Sequence, residues 1–183
     1  MQAMRNDIPT HLPLRPATGA DAAAIAALVN SAYRGDSSRA GWTTEADLLG
    51  GQRTDPEAVA AIVAAPDDVV LVHERDEGIA ACVHLERTPA GCYLGMLTVR
   101  PTLQAGGVGR RLLANAEAWA ATQWGATRVY MTVIAQRPEL IAWYERRGYT
   151  RTGERQPFPY GDARFGLPQR DDLVFEVLAK QLG

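Results

Sequence analysis

The chain has 183 residues, is 46% hydrophobic, and sets 19 basic against 21 acidic side chains for a formal net charge of −2. That is enough to bury one substantial core, short of what two domains would need, and without an overall positive field to hold nucleic acid or an anionic membrane. Two cysteines without CxxC spacing and three scattered histidines suggest neither a disulfide framework nor a metal site, so Cys82 and Cys92 read as buried small residues.

Residues 1–11 are polar and proline-bearing and read as a loose end, leaving 12–183 as one domain. The opening mixture of Arg5, Asp7, Pro9 and Pro13 is unlike the apolar run of a secretory signal, and no stretch reaches the roughly eighteen apolar residues of a membrane helix, so the cytosol is the expected compartment. Leu12 to Arg15 alternates and predicts a short strand. Asp21 stands where it can cap a helix over Ala22 to Tyr33, whose Ile25, Leu28 and Val29 share one face. After the loop-like residues from Gly35, a short helix is expected over Thr44 to Leu49. Asp55 and Pro56 then open another that runs to Ala64.

From Asp68 the pattern changes to strands. Val69 to Glu74 and Ile79 to Glu86 form a hairpin, and Cys92 to Val99 follows, stopped by Pro101. Val108, Leu112, Ala116 and Trp119 mark a helix that Gly125 closes. A strand over Arg128 to Ile134 comes next, then a helix from Pro138 that Gly148 ends. Tyr149 to Arg155 and Leu173 to Leu178 are the last strands, separated by the long loop Gln156 to Arg170. This order predicts an α/β fold with a mixed, mostly antiparallel sheet of about seven strands flanked by helices.

The stretch Leu97 to Arg111 is the most informative. A strand ends, a glycine turn follows, and a helix begins at once. Helix N-termini present unpaired N–H groups and about half a positive charge, and glycine lets a phosphate approach the backbone. Arg110 and Arg111 add side-chain charge, or are solvated helix residues. The Gly-Lys-Ser/Thr of a Walker A loop is absent, and Leu112 stands where a dinucleotide fingerprint needs its third glycine. A plain connecting turn is the remaining alternative.

The run Val99-x-Pro101-x-x-Gln104-x-x-Gly107-x-Gly109 resembles the acetyl-CoA motif of the GNAT N-acetyltransferase superfamily. Trp143-Tyr144-x-x-x-Gly148-Tyr149 is similar to that family's second signature. The resemblance implies an acetyl-CoA-dependent N-acetyltransferase with a splayed strand pair at the coenzyme A site and no metal. Leu97, Thr98 and Val99 would meet the pantetheine arm, and Gln104, Ala105, Gly106, Gly107, Val108, Gly109 and Arg110 would cradle the diphosphate. Arg137 stands where many members carry an asparagine that touches pantetheine. A homodimer is common among the proteins it resembles.

Amide formation from a thioester needs a neutral amine, oxyanion support and a proton for the thiolate. An amine of pKa about 10.4 is neutral in only about one molecule in 10³ at pH 7, so a base would help. The family position for the thiolate's proton donor is Tyr144, which could also simply pack on its helix face; a backbone N–H near Leu97 would serve the oxyanion. Base candidates are Glu45, between the first two helices, and His84 and Glu86, which share a strand face. Trp42, Tyr93, Phe158 and Tyr160 could line an acceptor pocket or serve as core and loop staples. The expected partner is a small-molecule or peptide amine; a non-catalytic acyl-CoA sensor is the reading from another class.

Overall fold

The computed structural model describes residues 11–34, 38–39, 41, 44–163 and 166–183. In chain order these give β1 (Arg15–Pro16), α1 (Ala22–Tyr33), β2 (Leu49–Gly50), α2 (Pro56–Ala64), β3 (Asp68–Arg75), β4 (Gly78–Thr88), β5 (Gly91–Val99), α3 (Val108–Trp124), β6 (Arg128–Ile134), α4 (Pro138–Glu145), β7 (Thr150–Pro157), β8 (Leu167–Pro168) and β9 (Val174–Gln181). Seven strands form one sheet in the order β1-β3-β4-β5-β6-β9-β7, and β2 pairs with β8 apart from it. Every neighbouring pair in the large sheet is antiparallel except β5 and β6. No described helix is long and apolar enough to cross a membrane.

Strand alternation divides the core between the two faces of the sheet. Ala81, Val83 and Leu85 of β4 join Leu112, Leu113, Ala116 and Ala120 of α3, whose four-residue spacing makes one apolar stripe. Ala80 and Cys82 point the other way, and Cys82 packs with Ile25 and Val29 of α1 and Val59 of α2. Both cysteines are fully buried, and burial pushes their thiols up, to about 12 for Cys82 and about 11 for Cys92.

The sheet opens where the sequence places its glycine turn. A parallel pair needs a crossover, and α3 provides it. Yet β5 and β6 pair only at Cys92 with Val129 and Tyr93 with Tyr130, and no further. Each strand instead follows its outer neighbour: β6 pairs with β9 along its whole length, while β5 stays on β4 through a register shift opposite Cys82 and His84. Met96 sits in that bulge with φ of +49°, a left-handed conformation rare for a side chain of its size. The shift bends β5 away from β6 and leaves a wedge between them.

Several expectations shift. Asp21 precedes α1, but its carboxylate turns back to accept from Thr18 N and the Arg15 guanidinium instead of capping the helix. Leu12 is core, and pairing starts only at Arg15. Thr44 to Leu49 is no helix: a turn over Ala46–Leu48 leads into β2, because Leu49 and Gly50 find partners in Pro168 and Leu167. Those partners lie within the loop expected to be irregular. The last strand extends to Gln181.

Candidate active site

Two cavities meet at the wedge. The first, of about 200 Å³, lies between the end of β5, the turn after it and the start of α3 on one side and α4 on the other. Pro101 to Gly106 form a 3-10 turn, Gly107 at φ +72° reverses the chain, and α3 begins at Val108. A left-handed residue is required at that reversal, which is why glycine stands there. Gly109 lies two residues further, and a Cβ built on it would meet Trp143 and Val99 at 3.7 and 3.8 Å, so the glycine leaves the cavity wall low without a local clash demanding it.

Of the residues expected here, Leu97, Val99, Gln104, Ala105, Gly107, Gly109 and Arg110 line this cavity. Thr98, Gly106 and Val108 do not. Thr98 alternates to the other face and its hydroxyl donates to Met96 O, while Val108 is buried in the core under α3. The Gln104 side chain donates to Val99 O at 3.0 Å, so its part in any anion cradle falls to its backbone. Arg137, on the position of the family's asparagine, turns to Glu45 at 3.6 Å and Glu139 at 3.8 Å and does not line this cavity.

The opposite wall is cationic. Arg147 stacks 3.8 Å over the Trp143 ring and donates to Trp143 O. Burial, together with the nearby Arg146 and Arg110 guanidiniums, pushes Arg147 below its ordinary range. Three positive charges thus stand beside a glycine turn and a helix N-terminus in a protein of net negative charge, with Arg110 and Arg147 lining the cavity.

The second cavity, of about 520 Å³, lies on the far side of β5 and is within the size range of small-molecule sites. Its walls come from α1, α2 and the segment before it, β5, β6, α4, Phe158 just beyond β7, and Phe175 of β9. Phe158 closes it from a small apolar cluster with Leu49, Ile134 and Leu173, so the β2–β8 pair acts as its outer brace. Tyr93 lines it, with its hydroxyl 3.4 Å from Thr132. Tyr160 does not. It is 45% exposed, donates to Arg170 O and accepts from Leu173 N, which makes it the staple of its own loop. Trp42 lies outside the described residues.

Glu45 lines this second cavity and is held by three guanidiniums. Arg34 donates directly to Oε2, Arg53 stands 3.8 Å from the same oxygen, and Arg137 is 3.6 Å from Oε1. His84 and Glu86 line neither cavity. His84 Nε2 is 2.5 Å from Asp68 Oδ1, and its ring packs edge-on to Tyr93 with centroids 6.3 Å apart. Asp68, His84 and Glu86 each bring a potential metal-binding atom within 4.8 Å of the others, and the His84–Asp68 hydrogen bond itself accounts for the approach of those two.

Four residues belong to both cavities: Tyr33, Leu97, Leu140 and Tyr144. Tyr33 donates its hydroxyl to Leu97 O, fixing α1 against the bulged strand. Tyr144 is buried against Trp143 and Tyr149, and burial raises its phenol above its ordinary pKa, so it is a neutral hydrogen-bond donor at the junction. The sequence offers no local signal for Tyr33, Arg34 or Arg53. Tyr33 reads as one more apolar position of α1, and the arginines stand in loops.

A family model for the acetyltransferase (GNAT) family matches residues 24–149. No curated protein matches the sequence at a significant level. Among solved structures, the chain is similar to a GNAT-family acetyltransferase from Streptococcus pneumoniae at 18% identity and TM-score 0.62, covering 94% of this chain and 100% of the other. It is also similar to the ribosomal-protein-S18-alanine N-acetyltransferase from Escherichia coli at 15% identity and TM-score 0.67, covering 93% and 94%. A third similarity, at 18% identity and TM-score 0.54 over 67% of each chain, is to a candidate streptothricin acetyltransferase from Bacillus anthracis in complex with acetyl coenzyme A. At these identities the likenesses speak for the fold alone.

Proposed function

Because the chain belongs to the GNAT acetyltransferase family, we propose that it moves the acetyl group of acetyl-CoA to a primary amine of a small molecule or peptide, by direct attack with both substrates bound. The observation that carries this reading is the meeting of two cavities at Tyr144 and Leu97. A sensor of acyl-CoA has no use for a second cavity opening on the acyl end; a transferase needs one.

In this reading the first cavity receives the pantetheine and diphosphate. Backbone N–H groups from Ala105 to Arg110 meet the diphosphate, with Arg110, Arg146 and Arg147 supplying charge. Acetyl-CoA brings an activated thioester carbonyl. A backbone N–H near Leu97 receives its oxygen as negative charge develops there. As the C–N bond forms and the C–S bond breaks, the amine loses one proton and the thiolate gains one.

Tyr144 donates a hydrogen bond to the departing sulfur. Because burial raises the phenol, it stabilises the thiolate without being ionised. The amine must arrive neutral. Three guanidiniums around Glu45 disfavour an ammonium in the second cavity, which lowers the amine's pKa by like-charge repulsion. Of the base candidates, Glu45 alone lines that cavity, and the guanidiniums occupy its oxygens. Its role in this account is to hold the arginines, and the proton leaves through water.

Release of free thiol from acetyl-CoA across a panel of amines is the test. Amine-dependent release is expected. Silence with every amine, while CoA binding is demonstrated, would contradict the reading.

A further inference from the structure

We propose that the acceptor amine carries an oxyanion, of carboxylate or phosphonate type, and that Arg53 is the side chain that receives it. This rests on the acetyl-transfer reading above and narrows its substrate class.

Arg53 is placed with care. Asn30 of α1 clamps its segment through three hydrogen bonds: Oδ1 accepts from Arg53 N at 2.7 Å and Thr54 N at 3.1 Å, and Nδ2 donates to Thr54 O at 2.9 Å. The guanidinium lies 4.3 Å over the Tyr33 ring and lines the acceptor cavity, with the side chain 28% exposed. Its Nε is buried and has no hydrogen-bond partner among the described residues. A buried donor left without an acceptor is costly, so Arg53 is not satisfied by the protein alone, and the part of its guanidinium that reaches the cavity is the part open to a ligand.

Arg53 is not hydrogen-bonded to a carboxylate among the described residues. Its nearest carboxylate oxygen, Glu45 Oε2, is 3.8 Å away, beyond hydrogen-bonding distance, and that oxygen already accepts from Arg34. The other Glu45 oxygen faces Arg137 at 3.6 Å. A second carboxylate at the cavity, Asp55, caps α2 by accepting from Ala58 N at 2.8 Å. Arg34 and Arg53 both line the cavity; Arg34 is 5% exposed and donates to Glu45, whereas Arg53 is 28% exposed and makes no side-chain hydrogen bond among the described residues. A planar guanidinium seated over an aromatic ring suits a carboxylate or phosphonate bidentately. The Arg53 charge opposes a second ammonium group placed beside it, which argues against polyamines.

The experiment measures initial rates with acetyl-CoA on matched amines: glycine against glycinamide, β-alanine against propylamine, 2-aminoethylphosphonate against ethylamine, and spermidine as the polycation. Values of kcat/KM are expressed on the neutral amine. We expect the oxyanion-bearing partner to lead by at least about tenfold, with the carboxylate and phosphonate arms telling the two sources apart. Arg53→Gln should bring that ratio close to one, while Kd for CoA stays within about twofold; Arg53→Lys should keep part of the preference. A lead for the uncharged amines or for spermidine in wild type would overturn the proposal even if Arg53→Gln failed to fold. So would an unchanged ratio in folded Arg53→Gln. Turnover confined to uncharged amines removes this inference and leaves acetyl transfer standing, whereas silence on every amine with CoA bound removes both.

Discussion

The two cavities on either side of β5 are built by different means. The first is lined mostly by the run from Leu97 to Arg110 and by α4 and the turn after it, with Tyr33 of α1, and it offers main-chain groups, glycines and a helix start. The second draws on α1, α2 and the segment before it, β5, β6, α4, Phe158 beyond β7 and Phe175 of β9, and it offers side chains: Arg53, Glu45, Tyr93 and Phe158. A cofactor shared by a whole family can be gripped by backbone, which tolerates change in most side chains. An acceptor must be distinguished by side chains gathered from far apart. Tyr33, Leu97, Leu140 and Tyr144 join the two.

This contrast can be broken most decisively at the junction. Tyr144→Phe keeps the ring contacts with Trp143 and Tyr149 and removes only the hydroxyl; kcat should fall on the order of 10²-fold, with Kd for CoA nearly unchanged by calorimetry. An equal rate would remove Tyr144 from the chemistry. On the cofactor side, Gly109→Leu pushes a side chain into the first cavity and should weaken CoA binding by at least about tenfold, while unfolding occurs near the wild-type temperature.

On the acceptor side, Phe158→Ala opens the small cluster behind the second cavity. It should raise the acceptor KM and lower Tm, yet leave Kd for CoA within about twofold. A loss of CoA affinity instead would show that the two cavities are not separable.

The smallest effect belongs to neither cavity and calibrates the others. Arg15, with help from Thr18 N, holds the Asp21 carboxyl down, from 3.8 to about 2. A depressed carboxyl contributes stability that is fully present above its unfolded pKa and is lost as pH falls through the folded one. Asp21→Asn should therefore cost about 1 kcal/mol or less near pH 6, after allowance for solvent screening, and progressively less as pH falls from about 4 toward 2. Urea midpoints across that range read the difference.

What the sequence reveals follows the same division. β-Branched runs announce β3 to β6, and helical spacing with Gly107 and Gly125 at its ends announces α3, because these signals are local. Tyr144 is legible from its motif. Residues 44–49 mislead because two short strands, Leu49–Gly50 and Leu167–Pro168, exist only through each other across more than a hundred residues of chain. Tyr160 reads in the sequence as either a pocket aromatic or a loop staple, and its hydroxyl, tying Arg170 to Leu173, makes it the staple. Nothing near Arg34, Arg53 or Arg137 in sequence hints that one glutamate gathers all three. That charge arrangement exists only after α1, the loop before α2 and the start of α4 converge.

The central claim is that the turn and helix start from Gln104 to Arg110 hold the diphosphate of coenzyme A and place its sulfur at the junction of the cavities. A crystal structure of the protein with CoA tests it most directly. The account predicts the diphosphate against the backbone of Ala105 to Arg110 and the thiol beside the Tyr144 hydroxyl. Coenzyme A bound elsewhere, or its sulfur turned away from Tyr144 and Leu97, would contradict it.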